Sequence, residues 1–65
     1  MKNRIKELRI KMNMSQVELS EKSGITRPYI SKLENNEVDV IKSDTMIAIS
    51  KALKKPIHYI FFDGK

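Results

Sequence analysis

The chain has 65 residues, with 13 lysine or arginine residues against 8 acidic ones, which gives a formal net charge of +5. This length accommodates one domain, and the absence of cysteine together with a single histidine argues against a disulfide framework and a zinc site. No apolar run approaches the roughly 18 residues of a membrane span and residues 1–12 lack the hydrophobic centre of a signal peptide, so we expect a cytoplasmic protein.

Apolar residues recur at helical spacing near the start of the chain and predict a first helix from about Asn3 to Met12. The second helix is predicted to begin at a capping box, in which the Ser15 hydroxyl accepts from the amide of Glu18 and the Glu18 carboxylate reaches back. It is expected to end at Gly24, because glycine best accepts the left-handed conformation that ends a helix.

The third helix is predicted to follow, with Thr26 as its N-cap and Pro28 in its first turn, where a missing amide costs little. Asn35 and Asn36 indicate its end, because asparagine tolerates left-handed geometry better than most residues. Residues 37–42 are the least helical part of the chain and could form a short extended stretch or a partly buried loop.

A fourth helix is predicted to start at Ser43 or Asp44. Pro56 prevents its continuation and sets the backbone angle for a short fifth helix over residues 57–61. Together these elements predict an all-α fold, a compact five-helix bundle that forms one domain over residues 1–65.

The segment from Ser15 to Asn35 combines a short capped helix, a tight glycine turn and a second amphipathic helix. This is the arrangement of a helix-turn-helix, although two short helices joined by a glycine turn occur in many bundles. Further stretches resemble the phage-repressor/Cro-like (Xre-group) family over most of the chain. They are Met14-Ser-Gln-x-x-Leu-Ser20, Ser23-Gly-Ile-Thr-Arg27, Tyr29-Ile-Ser-Lys-Leu-Glu-Asn35 and Ile49-Ser-Lys-Ala-Leu53. The resemblance implies five helices, sequence-specific operator binding and usually a dimer.

The predicted third helix has an outer face without acidic residues. With Ile30 and Leu33 placed inward at about 100° per residue, that face offers donors to base edges and phosphates. Residues 1–35 hold eight lysine or arginine residues and four acidic ones, a net +4, whereas residues 36–65 hold five and four, a net +1. The positive excess therefore lies in the half that contains this helix, although a lysine-rich soluble surface would give the same totals.

The resemblance implies DNA-contact roles for individual residues. Arg27, Pro28 and Lys32 match the base-reading positions of the family, and Arg27 is the candidate for a bidentate contact to guanine. Pro28 can touch only a thymine methyl group or a sugar, and Lys32 could instead be a solvated cation. Gln16, at the start of helix 2, would reach a phosphate or a base edge, or it is an ordinary polar first-turn residue.

Phosphate contacts are expected at the edges of helix 3. Tyr29 and Asn35 are the candidates, although the ring of Tyr29 could instead pack on a neighbour. Thr26 has a capping role whether or not it also meets a phosphate. The DNA-binding set predicted from the sequence is Gln16, Thr26, Arg27, Pro28, Tyr29, Ser31, Lys32 and Asn35.

Two charged residues are predicted to form a structural pair. Glu34 falls beside the inner face of helix 3, and Arg9 flanks the apolar stripe of helix 1. A bidentate ion pair between them would tie helix 1 to the recognition helix, and such a pair at the matching positions is common in the family. The alternative is that Arg9 contacts DNA.

The chain departs from the family pattern in the loop after helix 3. Glu37 and Asp39 would repel phosphates there, so within this loop only Lys42 is expected to contact the DNA backbone. Ser20 also occupies a site that is usually alanine.

The segment from Pro56 to Phe62 holds both phenylalanines and one of the two tyrosines. Some of its side chains are expected to close the bundle, but so short a segment cannot turn all of them inward, which leaves apolar surface for a partner. We therefore expect a symmetric homodimer built around helix 5. The residues predicted for its interface are Ile57, Tyr59, Phe61 and Phe62.

These features predict a transcriptional regulator, a repressor or controller, that binds a palindromic DNA operator as a homodimer with helix 3 in the major groove. No catalytic combination of residues is present in the sequence, so we expect no enzyme activity, and no cofactor, small-molecule ligand or membrane partner. The alternative is an antitoxin-like module whose main task is to hold a toxin. A longer tail would favour that alternative, and the end of the chain soon after Phe62 leads us to expect the regulator.

Overall fold

A computed structural model describes residues 2–62 of the chain. Within these residues the structure has five helical segments and no strand, which confirms the predicted all-α five-helix fold. The segments are α1 (Ile5–Lys11), α2 (Gln16–Ser23), α3 (Arg27–Glu34), α4 (Ser43–Leu53) and α5 (His58–Phe62). None of these helices is long and apolar enough to cross a membrane.

The left-handed residues predicted at the ends of α2 and α3 are present, since Gly24 has φ 75° and Asn36 has φ 60°. Asn13 and Lys54 have φ 54° and 57° at the ends of α1 and α4, where no left-handed residue was predicted. After Asn13, Asn36 and Lys54, the next amide donates to the carbonyl five residues earlier, at 2.9, 2.9 and 3.3 Å. This is the hydrogen bond of a Schellman motif, and it satisfies a carbonyl that the helix leaves free. Lys54 adopts the left-handed conformation although lysine accommodates it less readily than glycine or asparagine.

The two predicted N-caps differ. Ser15 and Glu18 form the complete capping box, with both hydrogen bonds at 3.0 Å. Thr26 occupies the N-cap position of α3, but its side chain makes no capping hydrogen bond, so the prediction of a side-chain cap there is wrong. Pro28, the second residue of α3, has no amide to donate, and the amide of Tyr29, the third residue, makes no bond to the Thr26 side chain.

The core lies where α2 packs against α3 and α4, and where α1 packs against the same two helices. Its residues are Ile5, Leu8, Met14, Leu19, Ile30, Leu33, Ile41, Ile49, Ala52, Leu53, Ile60 and Phe61. The segment before α1 links the last turn of α3 to α5, because Asn3 Nδ2 donates to the Leu33 carbonyl at 2.9 Å and the Arg4 amide donates to the Ile60 carbonyl at 2.9 Å.

Three predictions about the apolar ends of the chain need correction. Met12 lies one residue beyond α1 and is exposed, so it is not part of the buried stripe. The last helix extends to Phe62, one residue beyond the predicted end, and His58–Phe62 has the hydrogen-bond spacing of a π-helix. Phe61, predicted to lie at a dimer interface, is 4% exposed and sits in the core of its own chain, so it has no surface to offer a partner.

Candidate nucleic-acid interface

The turn between α2 and α3 is held by backbone and serine hydrogen bonds. The Gly24 amide donates to the Ser20 carbonyl at 2.8 Å, and the Ser20 hydroxyl donates to the Ile25 carbonyl at 2.6 Å. The Ser23 hydroxyl accepts from the Ile25 amide at 3.2 Å. The serine that stands where alanine is usual therefore bonds across the turn, and it helps to fix the angle at which α3 leaves α2.

The inner and outer faces of α3 are those that the helical spacing predicted. Ile30 and Leu33 are 0% and 1% exposed. Of the predicted DNA-binding residues on or beside this helix, Ser31 is half-buried, and Tyr29 is half-buried with its side chain packed against the core. The exposed ones are Thr26, Arg27, Pro28, Lys32 and Asn35.

A shallow cleft of about 230 Å³ joins the start of α2 to α3, and it is lined by Gln16, Arg27, Pro28 and Ser31. The pockets that hold small molecules are usually larger, about 300–1,000 Å³. Four of the predicted DNA-binding residues thus come together from two helices. Thr26, Tyr29, Lys32 and Asn35 lie outside this lining.

Arg9 and Glu34 form a bidentate ion pair between α1 and α3. Arg9 Nε donates to Glu34 Oε2 at 2.7 Å and Nη2 donates to Oε1 at 3.2 Å. Arg9 Nη1 also donates to the Met14 carbonyl at 2.8 Å, so one guanidinium joins α1, the α1–α2 loop and α3. The two charged side chains are 12% and 3% exposed, which places the pair inside the protein rather than on its surface.

The sequence did not predict that Gln16 belongs to this network. Gln16 Nε2 donates to Glu34 Oε1 at 3.0 Å, so the first residue of α2 is bonded to the last residue of α3. The position of Glu34 beside the inner face was a partial signal, since a carboxylate there needs donors. Which residue of α2 supplies one depends on how the two helices cross, and spacing along one helix does not contain that information.

The expected dimer surface is smaller than the sequence suggests. Ile57 and Tyr59 are half-buried and packed against the core, whereas Phe62 is 61% exposed. The ring of Tyr59 also makes two cation–π contacts, since the Arg4 guanidinium carbon lies 4.2 Å and the Lys55 ammonium 5.7 Å from its centroid. The apolar side chain that α5 presents to solvent is therefore that of Phe62.

The loop after α3 carries its charges outward. Glu37, Asp39 and Lys42 are all exposed, and Val40 between them is 82% exposed. Negative side chains at the end of α3 weaken any attraction of this loop for a polyanion. The surface suited to an anionic partner is therefore that of α3 and the start of α2.

Comparison with known proteins agrees with this geometry. A family model described as helix-turn-helix (HTH_3) matches residues 5–60, from the start of α1 to within α5. No curated protein matches the chain. Because the family model covers well over half of the sequence, the chain belongs to the Xre/Cro-like helix-turn-helix family of DNA-binding transcription regulators.

Proposed function

We propose that the protein regulates transcription by binding a palindromic operator as a homodimer, with α3 of each protomer in the major groove, and that it acts as a repressor or controller. The observation that carries this proposal is the charge arrangement of α3. Its basic residues, Arg27 and Lys32, are exposed, whereas its one acidic residue, Glu34, is turned inward onto Arg9. The exposed face of α3 therefore carries no negative charge to repel phosphates.

Arg27 is the proposed base-reading residue. It is the first residue of α3 and lines the cleft, and the N-terminal part of a recognition helix is the part that meets base edges. Its guanidinium can donate twice to the acceptors of guanine. Lys32 is exposed on the same helix and is proposed as a second base-reading residue, whereas Thr26 and Asn35, exposed at the two ends of α3, are proposed as phosphate contacts.

Replacing Arg27 with alanine tests this assignment. On the operator we expect a loss of about 1–3 kcal/mol and a relaxed preference at one position in each half-site. Affinity should also fall with salt, with a log–log slope near −0.9 for each phosphate neutralised. Lys51→Ala is the matched control, since Lys51 is an exposed cation on α4. An equal loss on all duplexes would make Arg27 a phosphate contact, and no binding at low salt would contradict the proposed function.

The homodimer is proposed because one recognition helix reads only a few base pairs, too few for selection among genomic sites. Two-fold pairing would place two copies of α3 on half-sites about 34 Å apart. Phe62 supports the choice of α5 as the interface, because a phenylalanine that is 61% exposed on a single protomer becomes buried when two copies meet there. The cations beside Tyr59 would lie at the edge of this contact.

Sedimentation of the free protein tests the dimer. We expect dimers at micromolar concentrations for the natural sequence and monomers for Phe62→Glu, because a buried carboxylate without a partner opposes association. Ile10→Glu is the matched control, since Ile10 is 55% exposed on α1. A monomer that binds a palindrome one copy at a time would contradict the dimer, as would equal effects of the two substitutions.

A further inference from the structure

We infer that Gln16 is a specificity-determining residue that reads an adenine, and that Glu34 is the positioning residue that sets its orientation. This inference rests on the proposed function, since it assigns a base to one residue of the same surface. It also decides between the phosphate and the base edge as the target of Gln16.

The hydrogen bond to Glu34 fixes which end of the Gln16 amide points inward. An ionised carboxylate accepts hydrogen bonds and donates none, so only Nε2 of Gln16 can face it. The distance from Nε2 to Glu34 Oε1 is 3.0 Å. Glu34 is itself immobilised, because its side chain is 3% exposed and takes two hydrogen bonds from Arg9. The acceptor that holds Gln16 is therefore part of the protein interior.

The remaining edge of the amide has one donor and one acceptor. Nε2 carries two N–H groups and one is used by Glu34, which leaves the second N–H and the carbonyl Oε1. Gln16 is half-buried and lines the cleft together with Arg27 and Ser31. Because one N–H of Gln16 is bonded to Glu34, the side chain offers a ligand at this cleft one acceptor, Oε1, next to one donor, the second N–H.

Phosphate and the four bases differ in how they match that edge. A phosphate has only acceptors, so it can bond the free N–H of Gln16 but leaves Oε1 without a donor. In the major groove guanine offers two acceptors, thymine one acceptor and cytosine one donor. Adenine alone offers a donor, the N6 amino group, beside an acceptor, N7. A glutamine held in this way therefore pairs with adenine through both of its remaining groups.

Selection of bound duplexes from a randomised library tests the inference, with Gln16→Met, Gln16→Lys and the neighbouring control Val17→Met. The natural protein should prefer adenine at one position per half-site by about 5- to 150-fold. Gln16→Met and Gln16→Lys should both lose the adenine preference and keep the base preferences at the other operator positions. Val17→Met should keep the base preference at every position. Methionine keeps the length of the side chain and leaves the Arg9–Glu34 pair in place.

The role of Glu34 has its own readout. Gln16 is the one glutamine of the sequence, so its side-chain amide signal in NMR spectra is identifiable. Glu34→Leu removes the acceptor and adds no second glutamine, so it should speed exchange of that amide with solvent and weaken the adenine preference, while the position read by Arg27 stays selective. If Glu34→Leu does not fold, the two Gln16 variants still decide the inference.

The outcomes separate the two proposals. An unchanged base preference in Gln16→Lys with equal or higher affinity on all sequences would show a phosphate contact and overturn the inference. A preference of the natural protein for another base at the position that Gln16 controls would also overturn it, and the proposed function would stand. A natural protein that selects no sequence at all would overturn both.

Discussion

Breaking the Arg9–Glu34 pair from one side measures how firmly α3 is held. Arg9→Met leaves the Glu34 carboxylate, 3% exposed, with Gln16 as its remaining hydrogen-bond donor among the described residues. Removing one partner of a buried pair costs about 3–5 kcal/mol. A domain of this length has a free energy of unfolding of about 3–10 kcal/mol, so this single substitution takes the protein close to unfolding at room temperature.

The double variant Arg9→Met, Glu34→Leu removes both charges and should be more stable than the sum of the single losses predicts. We expect a coupling free energy of about 2–3 kcal/mol from urea unfolding followed by circular dichroism. The Met14 carbonyl still loses its donor, so the double variant stays below the natural protein. Lys11 and Glu7 form the control pair at 3.5 Å on the surface, where coupling should stay within about 0.5 kcal/mol. Additive losses at Arg9 and Glu34 would refute this reasoning.

The helix ends give the remaining predictions. Gly24→Ala should cost about 1–2 kcal/mol through backbone strain alone, because an added Cβ meets no atom within 4 Å; full stability would mean that the left-handed turn is not needed. Lys54→Gly should raise the free energy of unfolding by a few tenths to about 1 kcal/mol, since it relieves φ 57°, and a loss would contradict this. Ser15→Ala should cost about 1 kcal/mol and Thr26→Ala much less, because only Ser15 caps through its side chain. Equal losses in thermal unfolding would show that Thr26 also caps.

Features set by a few neighbouring residues were predictable. The capping box at Ser15 and the left-handed residues Gly24 and Asn36 each depend on the chemistry of one or two side chains and their own backbone. Lys54 is the exception, because lysine carries no preference for the conformation that it adopts.

Features set by how helices meet were less predictable. A helical wheel places Glu34 next to the core, but only the crossing of α2 and α3 brings Gln16 to within 3.0 Å of it. Phe61 and Phe62 are adjacent and equally apolar, so their sequence does not tell which one is buried. The packing of α5 against the rest of the chain decides it, since Phe61 joins the core at 4% exposed and Phe62 stays 61% exposed.

The two residues before α1 form a short strap between α3 and α5, which lie far apart in the sequence. Asn3 bonds to the carbonyl of Leu33 near the end of α3, and Arg4 bonds to the carbonyl of Ile60 in α5. Consecutive Cα atoms are about 3.8 Å apart and that spacing does not stretch, so a displacement at one anchor pulls on the other. If two protomers join through α5, a displacement of Ile60 would move Arg4 and, beside it, Asn3, which is bonded to the carboxyl end of α3. The dimer contact would then affect the recognition helix without direct contact between α5 and α3. A fusion partner or tag placed directly before residue 3 would disturb the same two hydrogen bonds.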